Sequence, residues 1–183
     1  LDVDGESSDN VFIGGGSGYN IDNSGGNGNV NTALGRNTLR ELQDGNYNIA
    51  IGKDAGAALT TGGGNTIIGF QAGDAITSTG GVTIMGYNAG TGINTVDASG
   101  STLIGYQAGQ AITSGIGNTA VGYDALKANT TGNQNIAIGH TALIANTVGD
   151  KNTALGHAAM QSNTTGIDNT ALGYQTLRGN TTG

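Results

Sequence analysis

A short apolar run closed by glycine recurs ten times along the chain: VFIG, TALG, IAIG, TIIG, TIMG, TLIG, TAVG, IAIG, TALG and TALG. The glycines are Gly14, Gly35, Gly52, Gly69, Gly86, Gly105, Gly122, Gly139, Gly156 and Gly173, spaced 21, 17, 17, 17, 19, 17, 17, 17 and 17 residues apart. A fixed period of this length marks a repeat architecture in which every copy is one structural unit. The two long gaps read as insertions, near 15–27 and 91–99. The residue before each glycine is aliphatic in every copy: Ile13, Leu34, Ile51, Ile68, Met85, Ile104, Val121, Ile138, Leu155 and Leu172. Two residues earlier stands Thr or a β-branched aliphatic, on the same strand face. Between them, pointing the other way, are Ala33, Ala50, Ala120, Ala137, Ala154 and Ala171, replaced in the middle copies by Ile67, Ile84 and Leu103. The pattern predicts a short strand with both faces apolar, as in a sheet covered on both sides. The glycine ends it by permitting a turn that a Cβ resists.

Four residues before the glycine, Asn10, Asn31, Asn48, Asn65, Asn118, Asn135, Asn152 and Asn169 form a column interrupted by Val82 and Ser101. Asn tolerates left-handed turns, and stacked amides can bond from layer to layer. The second half of each repeat has two forms. DALKANTTG (124–132) places Leu126 four residues after the glycine and Asn129 three further on, whereas QAGDAITST (71–79) has Gly73 and Ile76 in those places. Leu143, Met160 and Leu177 follow the first form, while Gly56 with Leu59, Gly90 with Ile93 and Gly109 with Ile112 follow the second. One aliphatic is exchanged for another, so both positions feed one narrow core. Stacked at about 4.8 Å per layer, ten such coils make an all-β parallel solenoid roughly 50 Å long. The aliphatic column before the glycine is assigned to the core of the coil. The alanine column, left uncovered, is assigned to contact with further copies of the chain, which makes the protein a homo-oligomer.

Composition favours this repeat over disorder. Of 183 residues, 36 are Gly and none is Pro, Cys or Trp; 4% are aromatic, 10% are charged, and the net charge is −7. Disordered chains carry more charge and proline, and here the aliphatics return at fixed places. The lack of cysteine removes disulfides and zinc-thiolate sites. Six Lys and Arg in all argue against a nucleic-acid partner, which needs clustered cations. No apolar run approaches the ~20 residues of a membrane-spanning helix, so this segment is not expected to insert in a membrane, and no signal peptide opens it. Starting on Leu1 and stopping on a full repeat, the sequence reads as part of a longer chain. Residues 1–9 read as an acidic lead-in or cap, and 10–183 as the solenoid.

NTALGYQTLRGNTTG (169–183) and NTALGHAAMQSNTTG (152–166) resemble the short repeats of bacteriophage tail fibres and related surface proteins that carry a C-terminal intramolecular chaperone. They are also similar to the head repeats of trimeric autotransporter adhesins, whose signature is Asn-Ser-Val-Ala-Ile-Gly. The resemblance runs from Asn10 to Gly183. It implies a left-handed parallel β-roll that forms a homotrimer, with the aliphatic before the glycine inside each roll and the alanine column toward the trimer axis. It further implies a non-enzymatic fibre segment of a virion that stiffens, spaces and attaches to a host; a bacterial cell-surface adhesin head is the alternative. The adhesin repeat is shorter and has an extra residue before the aliphatics.

The column just after the glycine carries the most distinctive chemistry. After Arg36 and Lys53 come Phe70, Tyr87, Tyr106, Tyr123, His140, His157 and Tyr174, with four of the six tyrosines. Rings with polar neighbours suit stacking on the sugars of a cell-surface glycan, or contact with a protein receptor; the same side chains would also cover the turn glycine or a seam between chains. His140 and His157 fall on adjacent layers, but no carboxylate or thiol column completes a metal site, and no metal or cofactor is expected. Asp2, Asp4, Glu6 and Asp9 hold only a fragment of a calcium loop. The Asn-Thr-Thr sequons at Asn129, Asn163 and Asn180 arise from the repeated turn. Thr60, Thr77, Thr113, Thr130, Thr147, Thr164 and Thr181 raise the alternative of an ice-binding solenoid, although adjacent threonines of a strand point to opposite faces. A left-handed β-helix acyltransferase would need six-residue side repeats, which 17 does not accommodate. Catalysis needs a unique constellation, whereas these columns recur ten times, so no enzyme is expected.

Overall fold

The computed structural model describes residues 9–21, 28–94 and 98–183. Ten three-residue strands, β1 (Val11–Ile13), β2 (Thr32–Leu34), β3 (Ile49–Ile51), β4 (Thr66–Ile68), β5 (Thr83–Met85), β6 (Thr102–Ile104), β7 (Thr119–Val121), β8 (Ile136–Ile138), β9 (Thr153–Leu155) and β10 (Thr170–Leu172), form one sheet in sequence order. All pairings are parallel, with equivalent residues opposite one another, as in Ala120 against Ala137 and Val121 against Ile138. Each repeat is therefore one layer of a β-solenoid. Its backbone bonds reach both neighbouring layers: Thr119 N donates to Asn135 O and Gly122 N to Ile104 O, each at 2.8 Å. The long coils keep this stacking. Asn20 N donates to Arg40 O and Tyr47 N to Asn29 O, so the first insertion enters between 21 and 28. Gly92 N donates to Gln110 O and Gly117 N to Ser99 O, which puts the second between 92 and 99. Residues 22–27 and 95–97 of these insertions, and residues 1–8 of the acidic lead-in, lie outside the described residues.

Two constraints hold the glycine column. Its φ angles run from +121° to +144°, a region side chains do not adopt. In addition, a Cβ on Gly122 would lie 2.5 Å from Gly139 O in the next layer. The turn after the strand is thus also a backbone-to-backbone contact between layers.

The strand faces are the reverse of those assigned from the sequence. Ala33, Ala50, Ala120, Ala137, Ala154 and Ala171 are 0–2% exposed and lie inside their own coil, so they cannot meet another chain. Ile13, Leu34, Ile51, Ile68, Met85, Ile104, Val121, Ile138, Leu155 and Leu172 face outward; Ile13 is 57% exposed and Leu172 69%, and those between are half-buried or exposed. The reason is the width of the coil. Opposite the strand, Ala125, Leu126 and Asn129 of one repeat, and Ala72 and Ile76 of another, also point inward and are fully buried. A small residue at the strand centre leaves room for them, and the bulkier aliphatic stands outside.

The two repeat forms follow from the same limit. The position four residues after the anchor glycine lies between the central strand residues of its own layer and the next. A Cβ on Gly90 would sit 3.0 Å from both Ile84 and Leu103; one on Gly56 would sit 3.1 Å from Ile67, and one on Gly109 2.7 Å from Leu103. Gly56, Gly73, Gly90 and Gly109 thus flank the three large residues Ile67, Ile84 and Leu103. Leu39, Leu126 and Leu143 occupy the same place where both flanking residues are Ala.

The asparagine column is buried from Asn31 to Asn152 and bonded from layer to layer. Asn135 Nδ2 donates to Asn118 Oδ1 at 3.2 Å and to Gly149 O at 2.8 Å, while Asn118 Oδ1 also accepts the Asn135 backbone N–H at 3.0 Å. A second ladder runs beside it, with Asn146 Nδ2 on Asn129 Oδ1 and Asn163 Nδ2 on Asn146 Oδ1, each at 2.9 Å. Asn129 and Asn163 are therefore buried rather than displayed as sequons. Buried amides need such partners, since an unpaired one costs about 1–3 kcal/mol.

Two stability outcomes follow. Gly122→Ala should cost about 3 kcal/mol or more, whereas Gly64→Ala, at φ +71° with no atom within 4 Å, should cost about 1–2 kcal/mol; urea melts compare them. Gly109→Leu should destabilise by overpacking, by about 1–3 kcal/mol, and less so in a Leu103→Ala background. A double-mutant cycle with a favourable coupling of about 1 kcal/mol or more checks the exchange.

Candidate functional site

The chain bends at each anchor glycine, and the next side chain projects outward. Over seven layers these side chains form one continuous stack. Ring centroids are 5.2 Å apart for Phe70 and Tyr87, 5.3 Å for Tyr87 and Tyr106, 4.8 Å for Tyr106 and Tyr123, 5.1 Å for Tyr123 and His140, 5.1 Å for His140 and His157, and 5.2 Å for His157 and Tyr174. The first five pairs are within 10° of parallel and the last is at 23°. Phe70 and the four tyrosines are 36–71% exposed, and the Lys53 ammonium lies 5.1 Å from the Phe70 centroid. The parallel sheet imposes the spacing, and attraction between offset rings adds to it. The structure thus brings together every ring of the receptor-contact column inferred from the sequence.

Two columns adjoin the rings, of which the strand face was named from the sequence and the polar one was not. On one side, Gln71, Asn88, Gln107, Asp124 and Gln175 follow the rings and hold left-handed φ angles of 51–55°, so a polar side chain accompanies most layers of the stack. Their signal was the recurrence of Asp, Asn or Gln just after Phe70 and the four tyrosines. On the other side is the outward strand face, where Thr66, Thr83, Thr102 and Thr119 alternate with the aliphatics that precede the glycine.

A column of threonines elsewhere is engaged in holding the coil. Thr60, Thr113, Thr130, Thr147 and Thr164 donate their hydroxyls to the carbonyl of the equivalent Thr one layer on, at 2.8–3.1 Å. These bonds run along the stack and tie each layer of that column to the next. Asp150 Oδ1 accepts from Asn133 N and Nδ2 at 2.6 and 3.1 Å, within a shallow groove also lined by Ile116, Gln134 and Lys151. Among the described residues no three His, Cys, Asp or Glu gather as metal ligands, and no helix is long and apolar enough to cross a membrane.

Two carboxylates near the start of the ring column are shifted. Burial pushes Asp54 upward, but the Asn37 amide at 3.0 Å, Lys53 at 3.2 Å and the charge of Arg36 outweigh it and hold the carboxyl below its ordinary value. Burial raises Asp74, against the backbone N–H groups of Asp74 and Ala75, and the negative charge of Asp54 raises it further.

Compared with known protein families, curated proteins and solved structures, the chain matches none.

Because the folded pKa of Asp74 is raised, its ionisation opposes folding. Asp74→Asn should raise the melting temperature at neutral pH. The gain should shrink as pH falls through the folded Asp74 pKa and vanish below that of an unfolded aspartate, where the carboxyl is protonated in both states. Thermal melts across that range check the sign.

Proposed function

We propose that this segment is a non-enzymatic, homotrimeric fibre element of the bacteriophage tail-fibre type, part of a virion, that stiffens and spaces the fibre and presents a receptor-binding surface to the host cell. One observation carries the reading. An uninterrupted strip of outward aliphatic side chains, from Ile13 to Leu172, runs the length of a rod whose interior is already filled. A contiguous apolar strip of this extent marks an association surface. In three copies around an axis, that strip and the threonines beside it take the place that the sequence alone gave to the alanines. The number three and the left-handed coil rest on the resemblance of NTALGYQTLRGNTTG and its sister repeats to fibre repeats. A bacterial adhesin head uses the same assembly, and the chain beyond Gly183 separates the two: a chaperone domain belongs to a fibre, a coiled coil with a barrel anchor to an adhesin.

Light scattering of the folded segment should give three times the 18.0 kDa chain mass. Ile68→Asp with Val121→Asp should yield a monomer with unchanged far-ultraviolet circular dichroism, because both side chains stand outside the coil. A monomeric mass for the unaltered segment would overturn the proposal.

A further inference from the structure

We infer that the ring column is a track for an uncharged, extended polysaccharide lying along the solenoid axis, one sugar unit per layer. The inference deepens the receptor-binding reading above and rests on it. Stacking of sugars on ring faces, the mode first expected, is closed along most of the column. Tyr106 lies 5.3 Å from Tyr87 and 4.8 Å from Tyr123, with planes 6–7° apart, so its neighbours cover both of its faces. Lys53 covers the outer face of Phe70. What the column offers instead is ring edges, which carry the phenol hydroxyls and imidazole nitrogens, groups that both donate and accept hydrogen bonds. From Tyr87 to Tyr174 they come in single file, one per layer, on rings whose centroids lie 4.8–5.3 Å apart.

A ligand that bonds to such a file must repeat at the same distance and carry a polar group in every repeat. A β-linked pyranose chain rises by nearly one layer per sugar and bears hydroxyls on each. An extended peptide turns successive side chains to opposite faces, so those on one face recur only about every 6.6 Å and cannot meet consecutive layers. Charge narrows the class further. From Phe70 to Tyr174 the column contains no Lys or Arg, and the chain carries a net −7, so sulfated, phosphorylated or uronic-acid polymers lack counter-charges here. The carboxamides of Gln71, Asn88 and Gln107, in the adjoining column, suit neutral hydroxyls.

The test titrates the folded segment with cello- and chito-oligosaccharides of one to six units, followed by calorimetry and tyrosine fluorescence. Affinity should climb with each added sugar. Tyr106→Phe, which keeps the stack and removes one hydroxyl, should weaken hexasaccharide binding about tenfold, the worth of one good hydrogen bond. Tyr106→Ala should weaken it at least as much, and Tyr19→Ala, an exposed tyrosine off the column, should not change it. Thermal melts of Tyr106→Phe and Tyr19→Ala should match the parent, whereas Tyr106→Ala, which removes two ring contacts, should melt lower, so Tyr106→Phe carries the test. No saturable binding of either hexasaccharide, an affinity independent of length, indifference to Tyr106→Phe, or preference for heparin would each overturn the inference. Light scattering is read separately: a monomer that binds in this way removes the trimer and keeps the track, and a trimer that binds neither hexasaccharide does the reverse.

Discussion

The width of the coil governs this protein. Seventeen residues closed into one layer leave space, between the central strand residues of adjacent layers, for a single bulky side chain. Where Ile67, Ile84 and Leu103 take that space from the strand, Gly56, Gly73, Gly90 and Gly109 vacate it on the opposite wall; where the strand supplies alanine, Leu39, Leu126 or Leu143 enters from the far side. Native interiors pack at crystal-like density, so the exchange keeps the volume nearly constant. The same limit drives the second aliphatic of each strand outward. An apolar exterior is therefore a by-product of a narrow interior.

Closing so small a loop also demands unfavourable backbone. Apart from the anchor glycine, a coil places further residues at positive φ, among them Asp124, Leu126 and Gln134 in one region of the chain, each costing roughly 1–2 kcal/mol for a non-glycine. A lone coil could not meet that cost from two or three buried aliphatics. Adjacent layers meet it together, through interlayer backbone bonds and through amide ladders whose every rung uses atoms of the layers beside it. Stability is thus shared along one dimension, and a defect in one rung is felt by both neighbours.

Much of this was legible in the sequence. The period, the strand, the turn glycine, the amide ladder and the single file of rings each depend on one residue type returning at one position, and that is what a sequence records. Which strand face is inside was not legible from alternation, which shows only that the two apolar faces are opposite. The deciding signal was nonetheless present: glycine four residues past Gly52, Gly69, Gly86 and Gly105 brackets Ile67, Ile84 and Leu103, a correlation across neighbouring coils that reading one coil at a time misses. The geometry of the rings was hidden for another reason. A column of Tyr, Phe and His declares a ladder, but whether its faces are free depends on how closely the layers stack, and at about 5 Å they are not.

The two outward surfaces differ in a way that bears on their roles. The residue before the glycine is aliphatic in all ten layers, while the residue after it changes from Arg36 and Lys53 through Phe and Tyr to His and back to Tyr. Self-association around a common axis asks every layer for the same thing, because each layer meets its own equivalents there. Recognition of a different molecule asks for no such uniformity. Under the proposed reading the strand aliphatics, invariant in character, would answer the first demand, and the edges of the ring column, graded in hydrogen-bonding chemistry along the rod, the second. The glycine between them, bending the chain in every layer, keeps the two surfaces on separate sides of one turn.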